Sequence, residues 1–508
     1  MSITANTIAG LLETGADAAP AIGAPDRPSL TYAGLRALVR RTGDWLNHHG
    51  IGRAGRVAIV LPNGPEMATC FVAVAAFAAA APLNPASKAP EFAFDFEDLR
   101  IGLLIVAAGA DGPAVTVAGA QGIPVVDLLP GEAAGDFELR ARAPFEAEAD
   151  EGGPGGADDV ALLLHTSGTT AKPKIVPLSE ANICRSAVAI AETLALTPAD
   201  RGLAIMPLFH IHGLMAGILA PLAAGSFVFC TPGFDALRFF HWMGECRPSW
   251  YTAVPTMHQT ILLRAPRNGA AIAANPLRFI RSSSASMPPQ VIAELEQVFK
   301  APLIESYGMS EAAHQMASNP LPPRARKIGS AGLPAGPEIA VMDEEGRHLP
   351  AGVQGELVIR GASVMRGYER NEAANEAAFV DGWFRTGDLG VIDEAGYVTL
   401  TGRLKEVIIR GGENVAPREV DEVIMDHPAV AQVVCFGVPH PKLGEEVAAA
   451  IVLRAGAAAT EKEIQGFCAE RLAAFKVPRT VLFLAEIPKG PTGKLQRIGL
   501  AARLGLSG

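Results

Sequence analysis

At residues 165–174 the chain reads His-Thr-Ser-Gly-Thr-Thr-Ala-Lys-Pro-Lys, and this stretch decides the fold. It directly follows Val-Ala-Leu-Leu-Leu at 160–164, an apolar run of strand length. Hydroxyls and a glycine in a turn place several O–H and N–H donors on one surface, and Lys172 and Lys174 add positive charge. These groups suit a polyphosphate. The stretch is not a Walker A loop, because GxxxxGK[ST] does not occur in it.

Apolar runs of strand length alternate with helical patterns through most of the 508 residues. Residues 57–61 and 102–106 have the composition of buried strands, and 286–289 (Ser-Met-Pro-Pro) open a helix with one apolar face. This alternation predicts α/β layers with parallel sheets. The apolar run at 70–81 is stopped by Pro82, so it is shorter than the roughly 20 residues of a membrane span, and we expect a buried helix there.

The sequence pattern changes after about residue 340, from alternating strands and helices to short strands and turns. Short strands separated by turns at 339–342, 356–360 and 397–401 predict a β-rich subdomain. A last segment, from about residue 404, has its own strand and helix patterns. Polar, Gly-rich residues at 149–159 predict a surface loop.

The charge balance excludes some partners. The chain has 43 Lys and Arg against 53 Asp and Glu, a formal net charge of −10, which argues against nucleic acid or an anionic membrane as the main partner. Hydrophobic residues make up 49% and charged residues 19%, as in compact globular proteins. Six cysteines without metal-site spacing, and no recognisable leader, predict free thiols in the cytoplasm.

Five further motifs follow the polyphosphate loop in order. They are Met-Pro-Leu-Phe-His-Ile-His-Gly at 206–213, Glu-Ser-Tyr-Gly-Met-Ser-Glu at 305–311, Trp-Phe-Arg-Thr-Gly-Asp at 383–388, Gly-Arg-Leu-Lys-Glu at 402–406 and Pro-Thr-Gly-Lys at 491–494. With these motifs the chain resembles the adenylate-forming enzymes, which include acyl-CoA synthetases, luciferases and peptide-synthetase adenylation domains. The resemblance runs from about residue 27 to about residue 500.

The resemblance implies a fold and a reaction. The fold is a large N-terminal domain of layered α/β subdomains plus a β-rich subdomain, at 1–403, and a small mobile α+β C-terminal domain, at 404–508. In the reaction a carboxylate attacks the α-phosphate of ATP, and the thiol of coenzyme A then displaces AMP. Mg²⁺ is the implied cofactor, and ATP and CoA are co-substrates. The nucleophile is already ionised at pH 7, so catalysis is expected to be electrostatic.

The resemblance also implies roles for single residues. Lys494 would bridge carboxylate and α-phosphate, Glu311 would bind Mg²⁺, and Lys405 would be the hinge between the domains. Asp388 would hold the ribose hydroxyls, with Arg403 beside them. Tyr307 resembles a residue of the family's adenine-binding slot. The full set of predicted ATP and AMP contacts is Thr166, Ser167, Gly168, Thr169, Thr170, Lys174, Ser284, Ala285, Ser306, Tyr307, Gly308, Met309, Ser310, Asp388 and Arg403.

CoA is expected to pass Arg410, Gly411 and Gly412, since two glycines suit close passage of a thin pantetheine arm. Three positions depart from the usual family pattern without removing a catalytic group. Ala171 and Ile175 stand where glycine is usual, and Ser310 stands where threonine is usual.

The predicted acid pocket is polar. His210 and His212 lie two apart, so on an extended segment both would point the same way, and His314 and Ser284 add further donors. His210 is also a catalytic candidate. Such donors suit a small acid with a second carboxylate. The local strings resemble the oxalate–CoA ligase branch of the family, in which the residues matching His212, Ser284 and His314 contact oxalate.

Other functions stay open from sequence. One is a malonate or short-chain acyl-CoA synthetase, another an adenylation enzyme that loads a carrier protein, and a third a binding or RNA-associated protein without turnover. The presence of Lys494 and Glu311 and the acidic charge argue against the last. Residues 488–494 resemble the site at which related bacterial synthetases are acetylated, so a lysine acetyltransferase acting on Lys494 is a candidate partner.

Overall fold

The computed structural model describes residues 5–145, 151–166, 173–488, 495 and 497–506. The chain divides into two compact units. The first comprises Met1–Met287, Val291–Glu338 and Arg360–Phe379, and the second comprises Pro288–Gln290, Ile339–Ile359 and Val380–Gly508. The second unit therefore includes the predicted β-rich subdomain as well as the C-terminal segment. The domain boundary between residues 403 and 404 stays a prediction.

A nine-stranded sheet of the first unit positions most of the site. Its central strands are parallel, as predicted from the alternation of strands and helices. Its last two pairings, at the end that carries residues 303–318, are antiparallel. In spatial order the strands are Leu333–Pro334, His314–Ser318, Leu303–Met309, Phe279–Ser282, Trp250–Ala253, Arg201–Ala204, Phe227–Cys230, Pro20–Ala24 and Arg27–Thr31.

A seven-stranded sheet of the first unit contains the predicted strands 57–61, 102–106 and 160–164, and confirms them within one residue. The first two pair in parallel. In spatial order the strands are Phe137–Ala141, Val125–Pro130, Leu103–Ala107, Arg56–Val60, Ala79–Pro82, Val160–His165 and Ile175–Ser179.

The sequence predicted one buried helix at 70–81, and this prediction is wrong. The helix Pro65–Ala75 contacts strands of both sheets, and nearly all of its residues are buried. It ends at Ala75, and the run continues as the buried strand Ala79–Pro82. An alanine-rich run carries little helix or strand periodicity, so sequence alone did not locate this change.

The helices of the first unit cover both sheets, and the one predicted to open at 286–289 begins at Pro289. The α-helices are Ile8–Leu12, Tyr32–His48, Pro65–Ala75, Ala89–Asp98, Pro113–Gln121, Glu180–Thr193, Ala220–Ala223, Phe239–Cys246, Pro255–Arg264, Gly269–Ala274, Pro289–Phe299 and Glu372–Ala378. A π-helix spans Gly213–Leu219, and 3₁₀ turns span Ala265–Arg267 and Ser310–Ala312.

The second unit is built on two five-stranded sheets. The first contains Glu338–Met342, Gly355–Arg360, Trp383–Ile392, Phe379–Val380 and Val398–Arg403, and the second contains Glu413–Val415, Ile408–Arg410, Gly444–Leu453, Val430–His440 and Thr480–Phe483. Its helices are Pro417–Met425, Glu461–Ala469, Leu500–Arg503 and the 3₁₀ turn Leu404–Glu406. Short strands after residue 340 and a separate α+β segment were both predicted from the sequence.

Two further expectations concern the whole chain. All six cysteines are buried free thiols, as their spacing predicted. In the part of the chain that the structure describes, no helix has the length and apolar character needed to cross a membrane.

Candidate active site

The predicted phosphate loop connects two antiparallel strands, Val160–His165 and Ile175–Ser179. Its ends are tied together, because the backbone N–H of Thr166 donates to the carbonyl of Lys174 at 2.9 Å and the Lys174 N–H donates to Thr166 Oγ1 at 3.1 Å. Of the predicted loop contacts, Ser167, Gly168, Thr169 and Thr170 lie outside the described residues. The placement of a polar connection directly after a buried strand agrees with the sequence.

The predicted adenine segment lies at the carboxyl ends of neighbouring parallel strands. Phe279–Ser282 pairs with Leu303–Met309, so residues 282–285 come next to residues 305–310. The Ser283 hydroxyl donates to the carbonyl of Ser306 at 3.1 Å, and both Ser306 and Tyr307 are buried. Ligands of open α/β sheets bind at such carboxyl ends.

Three predicted substrate contacts come together in this unit. The imidazoles of His212 and His314 stack with ring centroids 4.8 Å apart. His212 Nδ1 lies 3.1 Å from Ser284 Oγ, and both histidines are about 2% exposed. Ser284 and His314 have φ angles of 73° and 92°, in the left-handed region that non-glycine residues rarely occupy. Such strain persists where the surrounding structure holds it, often at ligand sites.

His210 does not share this geometry. The sequence predicted an extended segment with both histidines on one side, but His212 is helical, with φ −60° and ψ −49°, directly before the π-helix Gly213–Leu219. Since His212 is helical and His210 is not, the side-chain alternation of an extended segment does not apply. His210 instead lies in a bend, its ring centroid 4.4 Å from that of Phe209.

Arg281 is a functional candidate that the sequence reading missed. Its side chain is fully buried behind the histidines. One guanidinium nitrogen lies 3.3 Å from His212 Nε2 and the other 3.2 Å from His314 Nε2. It also donates to Thr252 Oγ1 at 3.3 Å and to Gln315 Oε1 at 3.2 Å. The available signal was a charged residue inside the apolar strand Phe279–Ser282.

A second cluster surrounds the predicted magnesium ligand. Glu311 is 8% exposed and accepts a hydrogen bond from the Tyr368 hydroxyl at 2.9 Å. The ammonium of Lys174 lies 4.2 Å from the centre of the Tyr368 ring. Tyr368 thus joins two predicted site residues, and nothing in its sequence context marked it.

Gly308 leaves room for the neighbouring strand, and its replacement is expected to damage the pocket. A Cβ at this position would lie 1.8 Å from the carbonyl oxygen of His314. We expect Gly308→Ala to lower the free energy of unfolding by about 2–4 kcal/mol, measured by chemical denaturation, and to raise the KM for the acid. The matched control is Gly244→Ala in the helix Phe239–Cys246, where a Cβ meets nothing within 4 Å. Equal stability of the two variants would contradict this reading of the strand contact.

In the second unit, the predicted ribose ligand is already paired. Asp388 is 4% exposed and accepts a hydrogen bond from Arg403 Nε at 2.7 Å. The two residues are opposite each other in the antiparallel strands Trp383–Ile392 and Val398–Arg403. The strand next to Asp388 is held by the carboxylate of Glu356, which accepts from the Gly387 N–H at 2.9 Å.

The predicted CoA contacts form a β-hairpin. Gly411 and Gly412 are its two turn residues, with φ angles of 61° and 91° that glycine adopts without strain. Arg410 forms an ion pair with Glu446 through two hydrogen bonds. Nε donates to Oε1, and Nη2 donates to Oε2 at 3.0 Å. Glycine is therefore required here by the turn itself. Lys405 is exposed in the 3₁₀ turn Leu404–Glu406, and Lys494 lies outside the described residues.

Comparison with known families decides the assignment. The AMP-binding enzyme family matches residues 13–369, and the family of the AMP-binding enzyme C-terminal domain matches residues 419–494. The chain belongs to the AMP-binding enzyme family. The resemblance inferred from the motifs is thereby confirmed.

This AMP-binding enzyme has relatives of known activity along its whole length. It is 42% identical over 502 residues to an oxalate–CoA ligase of Arabidopsis thaliana, with 97% of each chain covered. It is 39% identical over 480 residues to an oxalate–CoA ligase of Saccharomyces cerevisiae, covering 88% of this chain and 86% of the relative. The ATP-bound structure of MatB from Rhodopseudomonas palustris superposes with a TM-score of 0.87 at 29% identity, with 97% of each chain covered.

These relationships establish the general activity. The AMP-binding enzyme is an ATP-dependent acyl-CoA ligase, which joins an acid to the thiol of CoA and forms AMP. Its fold is that of the adenylate-forming enzymes, with a large N-terminal and a small C-terminal domain.

Proposed function

We propose that oxalate is the acid that this ligase activates, in the reaction oxalate + ATP + CoA → oxalyl-CoA + AMP + diphosphate. The observation that carries the proposal is the stacked pair of His212 and His314 beside Ser284. Long-chain and aryl acids need an apolar pocket, whereas the predicted acid contacts that come together here carry imidazole and hydroxyl groups. The oxalate–CoA ligases among the relatives support the same substrate.

Oxalate has two carboxylates on adjacent carbons, so the acid that reacts brings a second negative charge with it. A buried carboxylate without partners is costly, and hydrogen-bond donors that face it offset this cost. We assign this task directly to Ser284 and His314, and to His212 through its contact with the Ser284 hydroxyl, 3.1 Å from His212 Nδ1. The reacting carboxylate then attacks the α-phosphate of ATP, diphosphate leaves, and the CoA thiolate displaces AMP from the acyl-adenylate.

Glu311 is proposed to hold Mg²⁺ together with the phosphates of ATP. In the ranges that the structure describes, no group of three or more His, Cys, Asp or Glu side chains could hold a metal alone. One carboxylate plus phosphate oxygens is the usual way in which proteins bind Mg²⁺, so a single buried glutamate fits the ion. When bound, the ion neutralises negative charge on the phosphates. The hydrogen bond from Tyr368 fixes the carboxylate that would bind it.

The remaining predicted roles stay proposals. Asp388 is assigned to the ribose hydroxyls, Lys494 to adenylation, Lys405 to the hinge, and Arg410 with its two glycines to CoA. Arg410 can contact CoA only by sharing or exchanging Glu446, its present partner. The catalytic role of His210 rests on the sequence alone.

A substrate panel tests the acid. We expect CoA-dependent AMP release with oxalate at a kcat/KM at least about 100-fold above that with acetate, octanoate or coumarate. Of these four acids, only oxalate has a second carboxylate that can accept hydrogen bonds from the polar groups. Malonate, one carbon longer, is the sharpest competitor. Preference for malonate, a fatty acid or an aryl acid would refute the oxalate assignment. Diphosphate exchange without CoA-dependent AMP release would indicate a carrier-protein enzyme.

Lys494 is expected to serve only the first half-reaction. Acetylation, or the variant Lys494→Gln, removes the charge that bridges the two anions, and we expect the rate of oxalate-dependent diphosphate exchange to fall by about 10³-fold. The conversion of separately supplied acyl-adenylate to acyl-CoA should fall less than about 5-fold. Lys489→Gln, five residues earlier, is the matched control. Equal losses in both half-reactions would show that Lys494 does not act in adenylation alone.

A further inference from the structure

We infer that Arg281 is a positioning residue of the acid pocket. It supplies the positive charge that favours a second carboxylate, and it fixes which nitrogen carries the proton on His212 and on His314. This inference rests on the proposed function, because it concerns the same pocket. It extends the assignment from one substrate to a class, the short acids that carry two negative charges.

The first argument is that the charge of Arg281 lacks a counter-ion. The side chain is fully buried, and burial lowers its pKa to about 9, so it is still protonated at pH 7. Across the described ranges no carboxylate forms an ion pair with it. None of its four acceptors, in Thr252, His212, His314 and Gln315, carries a negative charge. Buried charges in proteins are normally paired, so an anion bound nearby would complete this site.

The second argument concerns proton positions. A guanidinium only donates hydrogen bonds, so we assign Nε2 of His212 and Nε2 of His314 as the acceptors in these contacts. Each neutral imidazole therefore carries its proton on Nδ1. An N–H on Nε2 would instead point at the N–H groups of the guanidinium.

Thr252 strengthens the same arrangement. Its hydroxyl accepts from Arg281 at 3.3 Å and lies 2.7 Å from His212 Nε2, so it donates to the ring. Thr252 and Arg281 are opposite each other in the parallel strands Trp250–Ala253 and Phe279–Ser282, which places both side chains on one face of the sheet. In this assignment the guanidinium donates to Thr252 and to both rings, and Thr252 in turn donates to His212.

The proton position on His212 determines the direction in which the Ser284 hydroxyl can donate. His212 donates from Nδ1 to Ser284 Oγ at 3.1 Å, so the serine hydroxyl is an acceptor in that contact and its own hydrogen can be donated elsewhere. Ser284 is partly exposed, unlike the groups behind it. A carboxylate accepts hydrogen bonds and donates none, so this polarity suits an anion.

The test compares oxalate with acetate in one set of variants. We expect Arg281→Met to raise the KM for oxalate about 100-fold, with kcat and the KM for ATP changed less than about 3-fold. Acetate, which has no second charge, should lose no more than about 3-fold in kcat/KM, measured by diphosphate exchange. Arg281→Lys should recover at least about 10-fold of the oxalate loss. The exposed Arg267→Met is the matched control and should change none of these values.

Stability separates this role from a structural one. Removing a buried charge without a counter-ion relieves its desolvation, which offsets the hydrogen bonds lost by its four acceptors, so the Tm of Arg281→Met should change little. A lower Tm with equal losses on oxalate and acetate would overturn the inference. If that variant does not fold, Thr252→Val keeps the charge and removes one contact to His212. It should raise the KM for oxalate about 5-fold and leave acetate unchanged, and unaltered selectivity would overturn the inference.

The proposed function can fail separately. If the wild-type enzyme prefers another dianion, such as malonate or sulfoacetate, oxalate is the wrong substrate. The same comparison is then made with that dianion, and loss of its advantage in Arg281→Met still supports Arg281. If oxalate is preferred and Arg281→Met keeps that preference, the proposed function stands and the inference about Arg281 is refuted.

Discussion

Replacing Glu311 with glutamine is expected to lower kcat about 10²- to 10³-fold. Glutamine has nearly the same shape, and it can still accept a hydrogen bond from Tyr368, which lies 2.9 Å from the Glu311 carboxylate. The substitution therefore removes negative charge from a buried position with little change in packing. Without that charge, the proposed metal–ATP complex loses its protein ligand.

The dependence on Mg²⁺ distinguishes this explanation from general damage. We expect the Mg²⁺ concentration for half-maximal activity to rise at least about 10-fold in Glu311→Gln, with the Tm unchanged. Glu372→Gln, at an exposed position of the helix Glu372–Ala378, is the control. A variant with low kcat but an unchanged Mg²⁺ requirement would show that Glu311 is not the metal ligand.

Replacing Arg497 with methionine is expected to destabilise the second unit by about 2–4 kcal/mol. Its guanidinium lies 2.6 Å from Asp421 and 3.1 Å from Glu406, and it donates to the carbonyl of Cys435 at 3.1 Å. Burial raises the pKa of Asp421, although Arg497 stabilises the ionised carboxylate. Without the arginine, Asp421 and Glu406 both lose their partner cation.

Chemical denaturation followed by proteolysis measures this effect on the second unit separately. Arg347→Met removes the exposed pairs with Asp343 and Glu345 in the same unit, and should cost much less stability than Arg497→Met, because water and salt screen exposed ion pairs. Adding Asp421→Asn to Arg497→Met should restore part of the stability, because it removes one of the unpaired charges. No difference between Arg497→Met and Arg347→Met would contradict a stabilising ion-pair network.

The sequence predicted the strands and helices better than it predicted the contacts between side chains. The strands Arg56–Val60 and Leu103–Ala107 are continuous apolar runs with β-branched residues, so local composition determined them. The run that becomes the helix Pro65–Ala75 and the strand Ala79–Pro82 lacked such a signal. There the two sheets that enclose the segment select its conformation, and that selection involves residues distant in sequence.

The candidate site shows the same division. His212, Ser284 and His314 were assigned to one pocket by motif, and the structure brings them together. Arg281 and Thr252 were not, because their importance depends on register between two strands that lie far apart in the chain. Pattern reading identifies side chains with chemistry, but it does not show which buried polar groups lie behind them.

The π-helix Gly213–Leu219 directly after His212 has a consequence for how acid selectivity can change in evolution. A π-helical turn contains one residue more than an α-helical turn, so it is equivalent to a single-residue insertion. Deleting one residue would rotate the preceding segment by about 100° and turn the His212 imidazole away from Ser284. In this scaffold, the gain or loss of a single codon can therefore redirect the pocket without altering any residue that lines it.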